Sequence, residues 1–291
     1  MAFWGFSFVW VKIVYYYYQP ITTVFLRVTL AAIILYLIKL IFKIGIKPDK
    51  KDIKFLFLMA FFEPFAYFLG ESFGMQYVSS TLASVIISTI PVITPLAAFL
   101  IVKEKISLIS MLGIIISFTG ILVMVLEPDF TLKESPKGIA LMFLAVFAAI
   151  IYTIMIKKLS SKYKPITILL WQYFFGALLF LPLFLIYDFQ SYILVKPDFR
   201  LISTLLALVV FASLLAFFFF ITVIDKLGIN KTNVFTNFVP IVTVVAAYFI
   251  LPEENINAKV VVGMMIAIIG IFVAQIKRKT INRKKINYDK S

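Results

Sequence analysis

Long apolar runs separated by short polar breaks recur along the entire chain. A bilayer-spanning helix needs about 20 predominantly apolar residues at about 1.5 Å rise each. Ten runs meet that need, at 1–17, 20–40, 54–76, 81–102, 107–126, 138–157, 165–187, 201–223, 232–252 and 258–276. Within them polar and apolar residues do not alternate with the period of a barrel strand. The expected fold is all-α and integral to a membrane, with ten transmembrane helices and connections too short to hold a soluble domain.

The runs repeat in order. Gln19-Pro20-Ile21-Thr22 opens the second run and Lys164-Pro165-Ile166-Thr167 the seventh. Ile90-Pro91-Val92-Ile93-Thr94 in the fourth matches Val239-Pro240-Ile241-Val242-Thr243 in the ninth. Acids follow both, Glu104 in one case and Glu253 and Glu254 in the other. Gly113 and Gly120 in the fifth match Gly263 and Gly270 in the tenth. The chain therefore reads as two five-helix units, 1–127 and 137–276, and a basic cytoplasmic tail, 277–291. Five is odd, so the second unit lies upside down relative to the first. Inverted repeats of this kind are a known basis of alternating access in secondary transporters. The first run has fewer residues before Lys12 than its counterpart has before Lys157, which leads us to expect a native start upstream of Met1.

Charge fixes an expected orientation. Lysine and arginine gather in every second connection (Lys39, Lys43, Lys47, Lys50, Lys51 and Lys54; Lys103 and Lys105; Lys157, Lys158, Lys162 and Lys164; Lys226 and Lys231) and in the tail. The intervening connections hold Lys133, Lys137, Lys196, Arg200 and Lys259. Positive residues favour the cytoplasmic side, so both termini are expected there, in a multi-pass protein of the cell membrane. The basic tail suits anionic lipid better than nucleic acid.

Composition narrows the chemistry. The chain has 291 residues, of which 63% are hydrophobic and 14% charged, and no cysteine or histidine; its mean hydropathy is +1.05. Thiolate chemistry, disulfides and histidine-based relays or metal sites are absent from the start. No phosphate-binding GxxxxGK[ST] run occurs. We expect neither enzymatic activity, nor a cofactor, nor a metal.

The stretches WGFSFVWVK (4–12), the PITTVFLR that follows, and QYVSSTLASVIISTIPVITPLAAFLIVKEKISLISMLGIIISFTGILV (76–123) resemble the EamA family of the drug/metabolite transporter superfamily, and the second half repeats the pattern more loosely. The resemblance covers nearly the whole chain. It implies ten helices in two inverted repeats and the movement of small metabolites or amino acids, often outward. The superfamily also includes nucleotide-sugar and triose-phosphate carriers. FFEPFAYFLGESFG (61–74) resembles one bacterial and archaeal branch.

Four charged residues lie inside the runs: Lys12, Arg27, Glu63 and Glu71. A charge near the bilayer centre costs about 2.5–3.5 kcal/mol on insertion scales, so these need partners or a watery cavity. By rise per residue Lys12, Arg27 and Glu71 lie about 7, 10 and 8 Å below the outer surface. Glu71 is therefore expected to bridge the two bases. Glu63 lies near the midplane with no base at its depth, which makes it the candidate for proton coupling or for a substrate amine. Glu63, Tyr67 and Glu71 line one helix face, beside Pro64, which removes a helical hydrogen bond. A purely structural ion-pair cluster is the alternative.

Register from the matched prolines pairs Ser84 with Asn233 and Ser88 with Asn237, two short polar stripes expected to line vestibules. Arg27 pairs with Gln172, beside Trp171. Pro64, Pro91, Pro95 and Pro240 are candidate bends or hinges. Trp4, Trp10, Trp171, Tyr67, Tyr152 and Tyr173 are the aromatic residues expected to reach a cavity. Gly113, Ser117 and Gly120, with Gly263, Ala267 and Gly270, are spaced for close helix contact. Rings, a carboxylate and a guanidinium together suit a small zwitterion such as an amino acid. The expected function is a secondary active transporter exporting a small organic metabolite, with protons and membrane lipids as its other partners, acting as a monomer or homodimer. A channel, a nucleotide-sugar type carrier and, further off, a membrane-embedded enzyme are the competing classes.

Overall fold

A computed structural model describes residues 1–45, 47–94, 107–127, 133–229, 232, 235–252, 254 and 256–275. Across these residues the architecture is all-helical, as the apolar pattern predicts. Seven helices are long and apolar enough to cross a membrane: α2 (Pro20–Phe42), α3 (Lys50–Gly74), α5 (Leu108–Val125), α6 (Pro136–Ser160), α7 (Pro165–Leu194), α8 (Phe199–Leu227) and α10 (Ala258–Gln275). Three shorter apolar helices complete the set: α1 (Ala2–Tyr15), α4 (Ser80–Thr94) and α9 (Phe235–Ile250). The basic tail and Pro95 lie outside the described residues.

Local chemistry sets the helix ends. Pro20, Pro136 and Pro165 stand in the first turn of α2, α6 and α7, where a missing N–H has no helical partner to lose. Side chains accept the first free amides elsewhere: Ser79 Oγ from Leu82 N at 3.3 Å, Ser107 Oγ from Ser110 N at 3.0 Å, and Asp198 Oδ1 from Leu201 N at 2.7 Å. Such caps are typically worth about 1 kcal/mol. Asp188, near the far end of α7, reaches across to α2 and accepts from Thr22 N (2.8 Å) and Thr22 Oγ1 (2.9 Å). α8 ends at Gly228, whose φ of 81° favours glycine.

The helix contacts come in equivalent pairs. α3 packs on α6, and α8 on α1; α1 packs on α9, and α6 on α4; α2 packs on α8, and α7 on α3. Three further contacts, α2 with α7, α4 with α9 and α5 with α10, join each helix to its own counterpart. A pseudo-twofold axis exchanging helices 1–5 with 6–10 accounts for both sets. The closest of these is α5 with α10. A Cβ built on Gly113, Gly120 or Gly270 would collide with the backbone nitrogen of Ala274, Ala267 or Ser117 respectively. The small residues thus let two backbones touch where lipid supplies no hydrophobic drive for association.

Several helices are irregular at mid-length. α3 widens into a π turn over Phe61–Ala66, and Glu63 leaves helical geometry altogether (φ −139°, ψ 113°). α8 widens at the equivalent place, over Leu208–Leu215. Pro64 stands only in α3, so proline alone does not cause the widening. α4 breaks after Ile87, and α9 begins with a tighter turn at Phe235–Phe238 before its regular part at Val239. Pro91 and Pro240 follow these breaks. Ser88 Oγ lies 3.3 Å from the Thr236 carbonyl, so the two interruptions meet.

Candidate functional site

Where the irregular helices converge they leave a cavity of about 70 Å³. Its wall draws Trp4, Ser7 and Phe8 from α1, Arg27 from α2, Glu63, Tyr67, Phe68 and Glu71 from α3, and Ile87, Ser88 and Ile90 from α4. The second half adds Ala149, Tyr152 and Thr153 from α6, Phe217 and Phe220 from α8, and Thr236 and Val239 from α9. In the register set by the matched prolines, Trp4 is equivalent to Ala149, Ser7 to Tyr152 and Phe8 to Thr153. Phe68 is likewise equivalent to Phe217, Glu71 to Phe220, Ile87 to Thr236 and Ile90 to Val239. Both members of each pair line the cavity, so it sits on the pseudo-twofold axis.

The charged residues are deeply buried: Glu63 is 2% exposed, Arg27 3% and Glu71 5%. Arg27 Nε donates to Ser213 Oγ at 2.6 Å, and its guanidinium carbon lies 4.4 Å above the Phe68 ring. Glu71 accepts from the Tyr67 hydroxyl at 3.0 Å. Its other oxygen, Oε2, and Glu63 Oε1 are buried with no hydrogen-bond partner. The Arg27 charge attracts both acids across the cavity. It touches neither, because among the described residues the ion pairs are Lys162 with Asp49 and Asp52, and Lys259 with Glu127, all with solvent-exposed side chains. The expected Glu71 bridge to Lys12 and Arg27 is therefore not formed.

Lys12 does not line the cavity. Its Nζ donates to the Met75 and Val78 carbonyls, at 2.6 and 2.8 Å, where α3 ends. Lys157, the equivalent residue, donates to the Ile224 and Asp225 carbonyls at 3.1 and 3.3 Å, where α8 ends. Each lysine neutralises the negative end of its neighbour's helix dipole. That is an architectural role, duplicated with the repeat.

Other expected positions do not line the cavity. Gln172 is fully buried and its Oε1 accepts from the Tyr152 hydroxyl at 3.1 Å, while Nε2 has no partner. Trp171 packs against Phe174 and Phe175, and Tyr173 donates to the Ser213 carbonyl at 2.7 Å. Trp10 stacks on Phe6. Ser84 bonds within its own helix, to the Thr81 carbonyl. Asn237 Oδ1 accepts from Gln275 Nε2 at 3.1 Å. Asn233 lies outside the described residues. Trp4, Tyr67 and Tyr152, by contrast, do reach the cavity. Phe217, Phe220 and Thr153 join the wall without having been expected there, although the repeat register applied to Glu71 and Phe8 points to Phe220 and Thr153.

Comparison with known proteins agrees with this architecture. The model of the EamA-like transporter family matches residues 1–126 and again 136–275. An "Uncharacterized transporter" of Archaeoglobus fulgidus is 29% identical over 278 residues, covering 96% of each chain. The "Uncharacterized transporter YetK" of Bacillus subtilis is 27% identical over 258 residues, 87% of this chain and 78% of its own. A solved structure described as "Crystal structure of protein" superposes with a TM-score of 0.66 over 94% of this chain and 93% of that one, at 11% identity, a likeness of fold alone. With two family matches spanning both five-helix units, the chain belongs to the EamA-like transporter family, as a multi-pass membrane transporter.

Proposed function

We propose that this protein is a secondary active transporter that exports a small organic metabolite bearing a protonated amine, by alternating access. One observation carries the reading. A cavity on the axis between two inverted units holds two buried carboxylate oxygens that no protein group satisfies. Unpaired intramembrane acids are expensive, at about 2.5–3.5 kcal/mol each on insertion scales, and the equivalent helix α8 widens at the same level without them. Their use is then to meet something that arrives. Rocking one unit against the other would carry the cavity's contents from one face to the other. The broken helices α4 and α9, touching at Ser88 and Thr236, are the elements placed to bend. In this reading both termini lie in the cytoplasm of a cell-membrane protein, which the gathering of lysine and arginine in alternate connections supports.

Saturable counterflow of a cationic metabolite in proteoliposomes is the expected result, and an ohmic current would instead mark a channel. In this reading Glu63 couples protons. Glu63→Gln should lose accumulation driven by a pH gradient, and unchanged pH-driven accumulation would reject that role.

A further inference from the structure

We infer that the cavity selects a small organic monocation, an ammonium with an apolar body and no carboxylate, and disfavours the zwitterion that the residue types alone suggest. This rests on the transporter reading above and names its substrate class.

Three features of the wall lead there. The first is its hydrogen-bonding capacity. The hydroxyl of Ser7 donates to the Trp4 carbonyl, that of Ser88 to Ser84, and that of Thr153 to Ala149. Trp4 Nε1 donates to the Ala212 carbonyl, Tyr67 to Glu71, and Tyr152 to Gln172. These donors are spent on the protein itself, whereas Glu63 Oε1 and Glu71 Oε2 are acceptors left open. An ammonium group has donors and no acceptor, which is the complement of this wall. Beyond the Arg27 guanidinium, whose Nε is held by Ser213 and whose face lies over Phe68, the donors named here are committed, so a carboxylate has little else to accept from.

The second feature is charge. Among the described residues that line the cavity, two acids face one base. With both acids ionised the set carries one uncompensated negative charge, in a medium where charge is poorly screened. A monocation neutralises it. A zwitterion adds no net charge and leaves the excess in place. Arg27, the group a substrate carboxylate would seek, is held on Ser213 and stacked over Phe68.

The third is the opposite wall. Where α3 presents Tyr67 and Glu71 to the cavity, α8 presents Phe217 and Phe220. Trp4 packs edge-on against Phe217 and Phe220, with ring centroids 5.0 Å apart in each case. Apolar surface faces the acids across the axis, so a ligand is oriented nitrogen toward α3 and body toward α8. Aromatic faces also attract cations.

The test is a series in which only charge changes: isobutylamine, valine and isovalerate, with phenethylamine, phenylalanine and 3-phenylpropionate as the ring-bearing set. Binding to the purified full-length chain at neutral pH is read by calorimetry and thermal shift. Each amine should bind about tenfold or more tightly than its amino acid, and the acids should not bind saturably. Glu71→Gln should narrow the gap between amine and amino acid by removing the excess charge. Amino acids that bind as tightly as the amines, or no binding by any amine, would overturn the proposal in the wild-type protein alone, whatever the variant's folding. Methylguanidinium and creatine share a permanently cationic guanidinium with N–H donors, and neither crosses lipid readily. Saturable methylguanidinium flux without creatine flux supports the proposal. Creatine flux without methylguanidinium flux sinks it while leaving transport intact. If the amines bind but neither compound is carried, the cation site stands and the reading of it as a site for an exported cation falls.

Discussion

α3 and α8 occupy equivalent places, yet they carry opposite chemistry. Both widen into a π turn at mid-length and both face the axial cavity. α3 brings Glu63, Tyr67 and Glu71 to its wall; α8 brings Phe217 and Phe220. Their partners differ in the same sense. α2 sends Arg27 to Ser213 on α8, whereas Gln172 on α7 accepts from Tyr152 on α6, and both Gln172 Nε2 and Glu63 Oε1 remain unpartnered. The lesson is a division of labour. The duplicated features are architectural: the lysine caps, the glycine seam and the helix breaks. The charges that face the cavity were not duplicated, which supports the proposal that they serve what the cavity carries.

The sharpest way to break this contrast is to remove the central groups of each half. Arg27→Met strips two buried carboxylates of the one charge that favours them. It also breaks the guanidinium hydrogen bond to Ser213; a hydrogen bond to a charged group is worth about 1.5–3 kcal/mol, so a clear fall in folded yield and melting temperature is expected. Gln172→Met removes a neutral hydrogen bond to Tyr152, worth about 1 kcal/mol, and should be tolerated. Equal losses in thermal unfolding of the two variants would mean that the halves are not energetically distinct.

Much of this is legible in the sequence. Hydropathy and proline register are local signals, and they yield the ten helices, the inverted repeat and the α5–α10 seam of Gly113, Gly120, Gly263 and Gly270. Glu63, Glu71 and Arg27 stand out because charge inside an apolar run is costly. The rest depends on what lies across the cavity. Phe217 and Phe220 read the same in sequence whether they face lipid or a cavity. Ser88 and Asn237 are equivalent in register, but one lines the wall and the other turns to Gln275. Depth alone puts Lys12 level with Glu71, while its long side chain runs instead to the end of α3.

Lysines 12 and 157 offer a smaller test of the same contrast. If both are dipole caps, Lys12→Met and Lys157→Met should each cost about 1 kcal/mol, by similar amounts, with substrate affinity unchanged in the folded fraction. A Lys12→Met protein of full stability that no longer binds substrate would return Lys12 to the site and break the symmetry of the caps.

The smallest effect lies at the membrane surface, where the repeat is again matched in position but not in chemistry. Asp198 precedes α8 and accepts from the Leu201 amide at 2.7 Å and from the Tyr17 hydroxyl at 2.7 Å. Its counterpart Asp49 precedes α3, does not cap it, and pairs with Lys162 at 2.6 Å instead. The Leu201 N–H, and after it the Tyr17 hydroxyl, hold the Asp198 carboxyl below the usual carboxylate range. A depressed carboxylate contributes stability above its unfolded value, about 3.9, and that contribution fades as pH falls through the lower folded value. Hydrogen exchange at the Leu201 amide should therefore show protection at neutral pH that weakens in acid, beyond the intrinsic pH dependence of exchange. Asp198→Asn retains a side-chain acceptor but removes the charge, so its protection should lie below that of the native residue at neutral pH and converge with it in acid. Exposure to solvent keeps the difference small. A gap between the two proteins that persists unchanged into acid would show that the charge contributes nothing there, and that the α8 cap, like the ring packing beneath it, acts through geometry alone.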